Sequence, residues 1–159
     1  MAILRPLHED RTLRLAACEG LLFAVWSDAP DLTQMRMLGG ALRTQSRTYP
    51  RAGALMNVVV RGTPNFSEPV RHEALRLARD PSLNGLGTAH VILLGGLPGV
   101  ATRAFLSTVA LVSSAAAPVK VFGDATAAAE WLSHRLSTTD LPLSRDEILS
   151  LHDQAIEGR

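Results

Sequence analysis

The sequence is poor in cysteine, lysine and aromatic residues. Cys18 is the single cysteine among 159 residues, so the chain can form neither an internal disulfide nor a cysteine-rich zinc site. A cytoplasmic location is therefore expected. Aromatic residues make up 4% of the chain, which leaves few rings on which nucleic-acid bases could stack. Lys120 is the only lysine, and the arginines are spread along the whole chain, so we interpret this as a compositional bias.

Charge and long apolar runs are also scarce. Charged residues make up 19% of the chain, below the roughly 25% of a typical domain, and the formal net charge is +1. These values favour neither long disordered tails, nor a nucleic-acid partner, nor an anionic membrane surface. The longest weakly polar stretch, residues 104–119, is too short and too polar for a membrane span. The N-terminus carries charges where a signal peptide would have its apolar run.

Short apolar runs alternate with amphipathic segments along the chain. The first two runs are separated by Glu19-Gly20, which predicts a hairpin, and the later runs are continuously apolar, as is typical of parallel strands buried on both faces. The order ββαβαβαβα predicts an α/β fold with a mostly parallel sheet and an N-terminal hairpin. The predicted strands are residues 12–17, 21–26, 55–60, 89–94 and 119–122, and the predicted helices are residues 31–48, 67–78, 101–116 and 125–136.

We divide the chain into an N-terminal extension (1–10), an α/β domain (11–137) and a linker with a short amphipathic helix (138–159). Ser144 and Glu147 have the spacing of a capping box, and Leu143 and Ile148 that of a hydrophobic staple, so two signals start this last helix. Its apolar side needs a surface to lie on. That surface belongs either to the same domain or to a second subunit, in which case the helix would support a homo-oligomer.

The end of the domain resembles a known family. The strand Val119-Lys120-Val121-Phe122, followed by Gly123-Asp124 and by Ala127, Ala128, Trp131 and Leu132, is similar to the last strand and helix of stand-alone bacterial STAS domains. That family is named for sulfate transporters and anti-sigma factor antagonists. Phe105 also lies where these relatives often carry a phenylalanine. The resemblance covers about residues 11–136 and implies a non-enzymatic regulatory module that binds another protein, a kinase or other regulator.

The resemblance also implies a phosphorylation site. In anti-sigma factor antagonists, a partner kinase phosphorylates a serine at the start of the second helix. The matching segment here is 62–68, in which the family's Asp-Ser-Ser-Gly signature is absent, so Ser67 is a candidate by position and Thr63 the second candidate. Arg61 and Arg71 could pair with a phosphate, whereas nearby glutamates would oppose it. The simpler interpretation, which the residues favour, is that Ser67 caps the helix.

Arginines form a stripe on the first predicted helix. Arg36, Arg43 and Arg47 are spaced by seven and four residues and so lie on one face. A solvated outer face accounts for this pattern, and that interpretation is favoured. The alternative is contact with a protein, ahead of lipid or nucleic acid. Together with Arg61 and Arg71, these residues are the candidate partner-binding positions.

A second candidate function follows from the glycines between a strand and a helix. Residues 95–99, Gly-Gly-Leu-Pro-Gly, lack the spacing of a P-loop or of a dinucleotide-binding turn, and a structural turn is the favoured interpretation. Small ligands nevertheless bind outside the carboxyl ends of parallel strands. Gly95, Gly96, Gly99 and Arg103 are therefore the candidate loop of a small-molecule or lipid carrier.

Catalytic motifs are missing from the sequence. It contains no H-E-x-x-H and no G-x-S-x-G. The pairs His72-Glu73 and Ser133-His134 are adjacent on predicted helices, so their side chains point apart and cannot act together. His90 is interpreted as a satisfied core residue and Cys18 as a buried, inert thiol. We therefore predict no catalytic residue, no metal and no cofactor. An enzyme of unrecognised type is the third alternative.

Overall fold

The computed structural model describes residues 2–62, 66–83, 85–112 and 117–159. Within these residues the chain forms an α/β fold. The strands are β1 (Arg5–Glu9), β2 (Leu13–Cys18), β3 (Leu21–Trp26), β4 (Ala54–Val59), β5 (Gly87–Ile92) and β6 (Val119–Phe122). The helices are α1 (Leu32–Thr48), α2 (Glu68–Arg79), α3 (Gly96–Val112), α4 (Ala125–Leu136) and α5 (Arg145–Ile156).

The strands form one sheet in the order β1-β2-β3-β4-β5-β6. The pairs β1–β2 and β2–β3 are antiparallel, and the three pairs from β3 to β6 are parallel. This confirms the predicted mostly parallel sheet with an antiparallel hairpin at its N-terminal side. The helices α1, α2 and α3 make the crossovers between neighbouring parallel strands. Crossovers of one hand place successive helices on the same face of the sheet, which is where these three lie.

The core has two halves, one on each face of the sheet. Alternate residues of β3 divide between them, because side chains along a strand point to opposite faces. Leu22 and Trp26 pack with α1 and α2, whereas Phe23 and Val25 pack with α4 and α5. The apolar run of β3 thus supplies both halves.

Strand β1 was not predicted. Residues 5–9 pair with β2 along the edge of the sheet, with an irregular register between Pro6 and His8. An edge strand tolerates proline because the missing N–H can face solvent. The N-terminal extension therefore contributes a strand to the same sheet as the α/β domain.

Two helix starts differ from the prediction. Helix α1 begins at Leu32, one residue after the predicted start, and its N-cap is Asp31, whose side chain accepts from the backbone N–H of Gln34 at 2.8 Å. Helix α3 begins at Gly96, five residues earlier than predicted. Pro98 lies in its first turn, where the missing N–H removes no helical hydrogen bond.

The capping box of α5 is present as predicted. Glu147 N–H donates to Ser144 Oγ at 3.2 Å, and Ser144 N–H donates to Glu147 Oε2 at 2.9 Å. The apolar side of α5 packs against α4 and the sheet, and Ile148, Leu151 and Ala155 are each at most 1% exposed. Of the two surfaces considered for this helix, the chain's own domain is the one it covers.

Candidate functional site

A cavity of about 120 Å³ lies between the sheet and helices α1, α2 and α3. Most of its lining is apolar, with Leu38 from α1, Leu77 from α2 and Leu106 from α3. The charged residues Asp28 and Arg61 also line it, and both are exposed. They follow the carboxyl ends of β3 and β4, so the cavity opens at the edge of the sheet where α/β proteins bind ligands.

Three polar side chains meet in this cavity because of strand register. Asn57 of β4 is directly opposite His90 of β5. Trp26 of β3 lies two residues beyond Ala24, the residue opposite Asn57. Residues at even spacing share a face, so all three side chains point towards α1–α3.

The three side chains form a directional chain of hydrogen bonds. Trp26 Nε1–H donates to Asn57 Oδ1 at 2.8 Å. An indole N–H can only donate, so this bond fixes which end of the amide faces Trp26. Asn57 Nδ2 then donates to His90 Nδ1 at 3.0 Å. A ring nitrogen that accepts carries no proton, so the proton of a neutral His90 is on Nε2.

His90 is neutral and keeps one donor unused. It is 8% exposed, and burial lowers its pKa from the ordinary 6.5 to about 4. Among the described residues, the side-chain polar atoms that are buried from solvent and have no hydrogen-bond partner are Ser27 Oγ and His152 Nε2. His90 Nε2 is not one of them, so this atom retains some contact with solvent. The ring lines the cavity. The predicted burial of His90 is therefore correct, but among the described residues only its Nδ1 is paired.

Asn57 and Trp26 were not among the predicted site residues. The signal that could have found them was an amide inside an otherwise apolar strand, since a buried amide needs hydrogen-bond partners. Asn57 alone interrupts the run Leu55 to Val60, and His90 interrupts the next such run. Which residue meets which depends on register, and register was not part of the prediction.

The first of the predicted phosphorylation positions, Ser67, directly follows Phe66, which lines the cavity. Ser67 is at the N-cap position of α2 and is exposed, but its side chain makes no capping hydrogen bond. The hydroxyl therefore does not perform the capping role that the sequence favoured. Phe66 stacks on Phe105 at 4.3 Å between ring centroids, which packs the start of α2 against α3. Thr63 lies outside the described residues.

Most of the candidate arginines lie at the surface of the chain. Arg36, Arg47, Arg61 and Arg71 are exposed, and Arg43 is half-buried. Arg71 Nε–H donates to the backbone oxygen of Phe66 at 2.9 Å, which joins the first turn of α2 to the segment that precedes it.

Part of the arginine stripe acts on a carboxylate of the same chain. Arg76 Nη2 lies 2.6 Å from Glu73 Oε1. The hydrogen bond from Arg76 lowers the pKa of Glu73, and the charges of Arg36 and Arg43 lower it further. Two members of the stripe thus lie close enough to α2 for their charges to act on Glu73.

The glycine segment is the first turn of α3, not a free loop. Gly95 and Gly96 are exposed, while Gly99 is buried and donates its N–H to Gly95 O at 3.2 Å. A Cβ on Gly99 would collide with the carbonyl oxygen of Leu94, so the close approach requires glycine. Arg103, half-buried, lies beside Gly99.

The remaining reactive groups are separated. Cys18 is buried, and burial raises the pKa of its thiol. His72 and His134 are exposed on α2 and α4. Within residues 2–62, 66–83, 85–112 and 117–159, no group of three histidine, cysteine, aspartate or glutamate residues could hold a metal ion. No helix in that part of the chain is long and apolar enough to cross a membrane.

Comparison of the chain with protein-family models, curated proteins and solved structures gave no match. The STAS-like character of the chain remains a prediction from its residues.

Proposed function

We propose that the chain is a non-enzymatic, cytoplasmic regulatory module of the STAS-like type, which binds another protein through the carboxyl edge of its parallel strands. The mostly parallel sheet with an antiparallel hairpin at its N-terminal side supports this proposal, because it agrees with the predicted ββαβαβαβα order. The single cysteine, buried as a thiol, supports the location.

The observation that carries the proposal is a patch of exposed apolar side chains at this edge. Leu93, Leu97 and Val100 follow the end of β5 and lie on or just before the first turns of α3, and Leu97 is 84% exposed. Single exposed leucines are ordinary, but neighbouring ones at a sheet edge favour contact with a partner. This edge patch is continuous along the chain with the helix that carries Phe105, which packs against the start of α2.

Ser67 is the proposed point of control. Its exposed hydroxyl makes no capping bond, so a kinase could reach it without breaking one. Arg61 and Arg71 are exposed nearby in sequence and would favour a phosphate. The negative charge of Glu68 would oppose a phosphate on Ser67, and Pro69 lacks the backbone N–H that could donate to one. We therefore expect phosphorylation to change partner contact more than helix stability.

Affinity capture from the host lysate with matched variants tests the binding surface. Leu97→Asp and Leu111→Asp change residues of nearly equal exposure, 84% and 85%, on the same helix. The proposal expects a specific partner on the wild-type chain, its loss with Leu97→Asp and its retention with Leu111→Asp. Capture of no specific partner, or equal behaviour of the two variants, would contradict it.

Phosphosite mapping of the same captured protein tests the switch separately. Phosphate on Ser67, and a change in partner recovery with Ser67→Asp but not with Ser107→Asp on α3, would support it. Ser107 is exposed like Ser67 but lies away from a helix start. A partner that binds Ser67→Asp and wild type equally, with no phosphate on Ser67, would retain the binding module and reject the switch.

A further inference from the structure

We infer that the cavity between the sheet and α1–α3 binds a small, uncharged, mostly apolar molecule that offers one hydrogen-bond acceptor to His90 Nε2. This site differs from the glycine segment predicted as a ligand loop and from the edge patch. It does not depend on the proposed protein-binding function.

Cavity size sets the scale of the ligand. An apolar cavity of roughly 150 Å³ holds a benzene molecule in a well-studied engineered case. The present cavity, at about 120 Å³, is of the same order and opens towards solvent beside Asp28 and Arg61. A single six-membered ring with one short substituent therefore matches it.

The hydrogen-bond chain sets the polarity of the ligand. The bond from Trp26 fixes the orientation of the Asn57 amide, and the bond from Asn57 fixes the tautomer of His90. The group that His90 leaves free for a ligand is therefore a donor, Nε2–H. A ring held by a neighbouring amide cannot turn to offer an acceptor without breaking that bond. The cavity therefore selects a carbonyl or similar acceptor over an alcohol used as a donor.

The lining sets the charge of the ligand. His90 is neutral because it is buried, and the residues around it, including Leu55 and Leu106, are apolar. A buried ion without a partner is costly, so a charged group would have to remain at the exposed Arg61 or Asp28. We therefore assign the interior to an uncharged molecule.

Cyclohexanone and methylenecyclohexane are the test probes. They have nearly the same shape, and only the ketone has an acceptor. The ketone loses more hydration than the alkene on entering any apolar site, so its Kd alone does not report the hydrogen bond. The measured quantity is therefore the ratio of the two Kd values, compared between the wild-type chain and a variant. In His90→Phe, which keeps a ring and removes the N–H, we expect this ratio to move about fivefold against the ketone.

Two further measurements guard against a variant that fails to fold. In the wild-type chain, NMR of the His90 ring should show the proton on Nε2, and the ketone should shift that signal more than the alkene does. Ala74→Leu places added carbons in the cavity, whereas Ala127→Leu makes the same change at an exposed position of α4. We expect the first to weaken both probes at least about tenfold and the second to leave them unchanged.

Four results would overturn the binding of such a molecule at this site. These are no binding of either probe at millimolar concentration, an unchanged Kd ratio in folded His90→Phe, equal effects of Ala74→Leu and Ala127→Leu, or a His90 signal that the ketone does not shift. Tighter binding of cyclohexanecarboxylate than of cyclohexanone would also overturn the assignment of an uncharged ligand, and would point instead to an anion held at Arg61.

Discussion

Asn57 Nδ2 donates to His90 Nδ1 at 3.0 Å across two parallel strands in which the two residues are directly opposite. Because Trp26 already holds the other end of the amide, the contact fixes both the orientation of Asn57 and the tautomer of His90. One pair of neighbouring residues thus determines which hydrogen-bonding group the cavity presents.

His90 makes the stability of the fold depend on pH. Its pKa is about 4 in the folded chain and near 6.5 when exposed, so above pH 6.5 both states hold a neutral ring and this contribution is complete. As the pH falls from 6.5 to 4, the unfolded state takes up the proton first, and the free energy of unfolding should fall by up to about 3 kcal/mol. Denaturant melts at a series of pH values measure this slope.

The control for this slope separates His90 from the other histidines. Asp28 and Arg61, the charged residues that line the same cavity, are exposed, so burial lowers the pKa rather than a neighbouring charge. His72→Gln, at an exposed position of α2, should keep the slope, and His90→Phe should lose most of it. A slope that survives in His90→Phe would assign the effect to another group.

Asp10 anchors the turn between β1 and β2. Burial opposes its ionisation, but hydrogen bonds from His8, from the N–H groups of Thr12 and Leu13 and from Gln34 outweigh this and hold its pKa well below the ordinary value. Asp10→Ala should lower the free energy of unfolding at pH 7 by about 1–2 kcal/mol, as for loss of a helix cap.

The pH dependence of the Asp10 effect follows from the direction of its pKa shift. A carboxylate with a lowered pKa stabilises the fold above its unfolded value near 3.8, and this contribution is lost as the pH falls below that value. The difference between wild type and Asp10→Ala, measured by denaturant melts, should therefore shrink in acid. Asp146→Ala, at an exposed position, is the control and should change stability little at either pH.

Two adjacent glycines in α1 should respond differently to alanine. A Cβ on Gly40 meets nothing within 4 Å, so Gly40→Ala should stabilise the helix by about 0.5–1 kcal/mol. A Cβ on Gly39 would lie 3.0 Å from Leu77 Cδ2, so that side chain must shift and the gain should be smaller. Thermal melts of the two variants give the comparison. An equal or larger gain at Gly39 would show that α1 and α2 pack less closely than the structure indicates.

Helix α5 packs within its own chain, so a substitution in its buried face should destabilise the fold and should not dissociate an oligomer. Ile148 is fully buried, so Ile148→Ala should lower the free energy of unfolding by about 2–5 kcal/mol. Leu149→Ala, on the same helix but only partly buried, should cost clearly less. If α5 instead packed on a second subunit, the unfolding midpoint of the variant would rise with protein concentration.

Much of the fold could be predicted because its signals are local. The continuous apolar runs of β4 and β5 indicated parallel strands, and the spacing of Ser144 and Glu147 indicated the start of α5. Strand β1 could not be predicted, since Pro6 and its charged neighbours do not resemble a strand unless a sheet edge is already there. The start of α3 was missed for a related reason. Five residues rich in glycine and proline are typical of a turn, and here they form a helical one.

The sequence by itself determined the class of fold, the hairpin and the capping box of α5, because these depend on apolar periodicity and on hydrogen bonds between residues a few positions apart. Only the tertiary structure decided that Trp26, Asn57 and His90 meet. Those bonds join residues separated by 31 and 33 positions, and they exist because strand register places the three side chains on one face. The burial that makes His90 neutral is likewise a property of the packed sheet and helices, not of its neighbours in the chain.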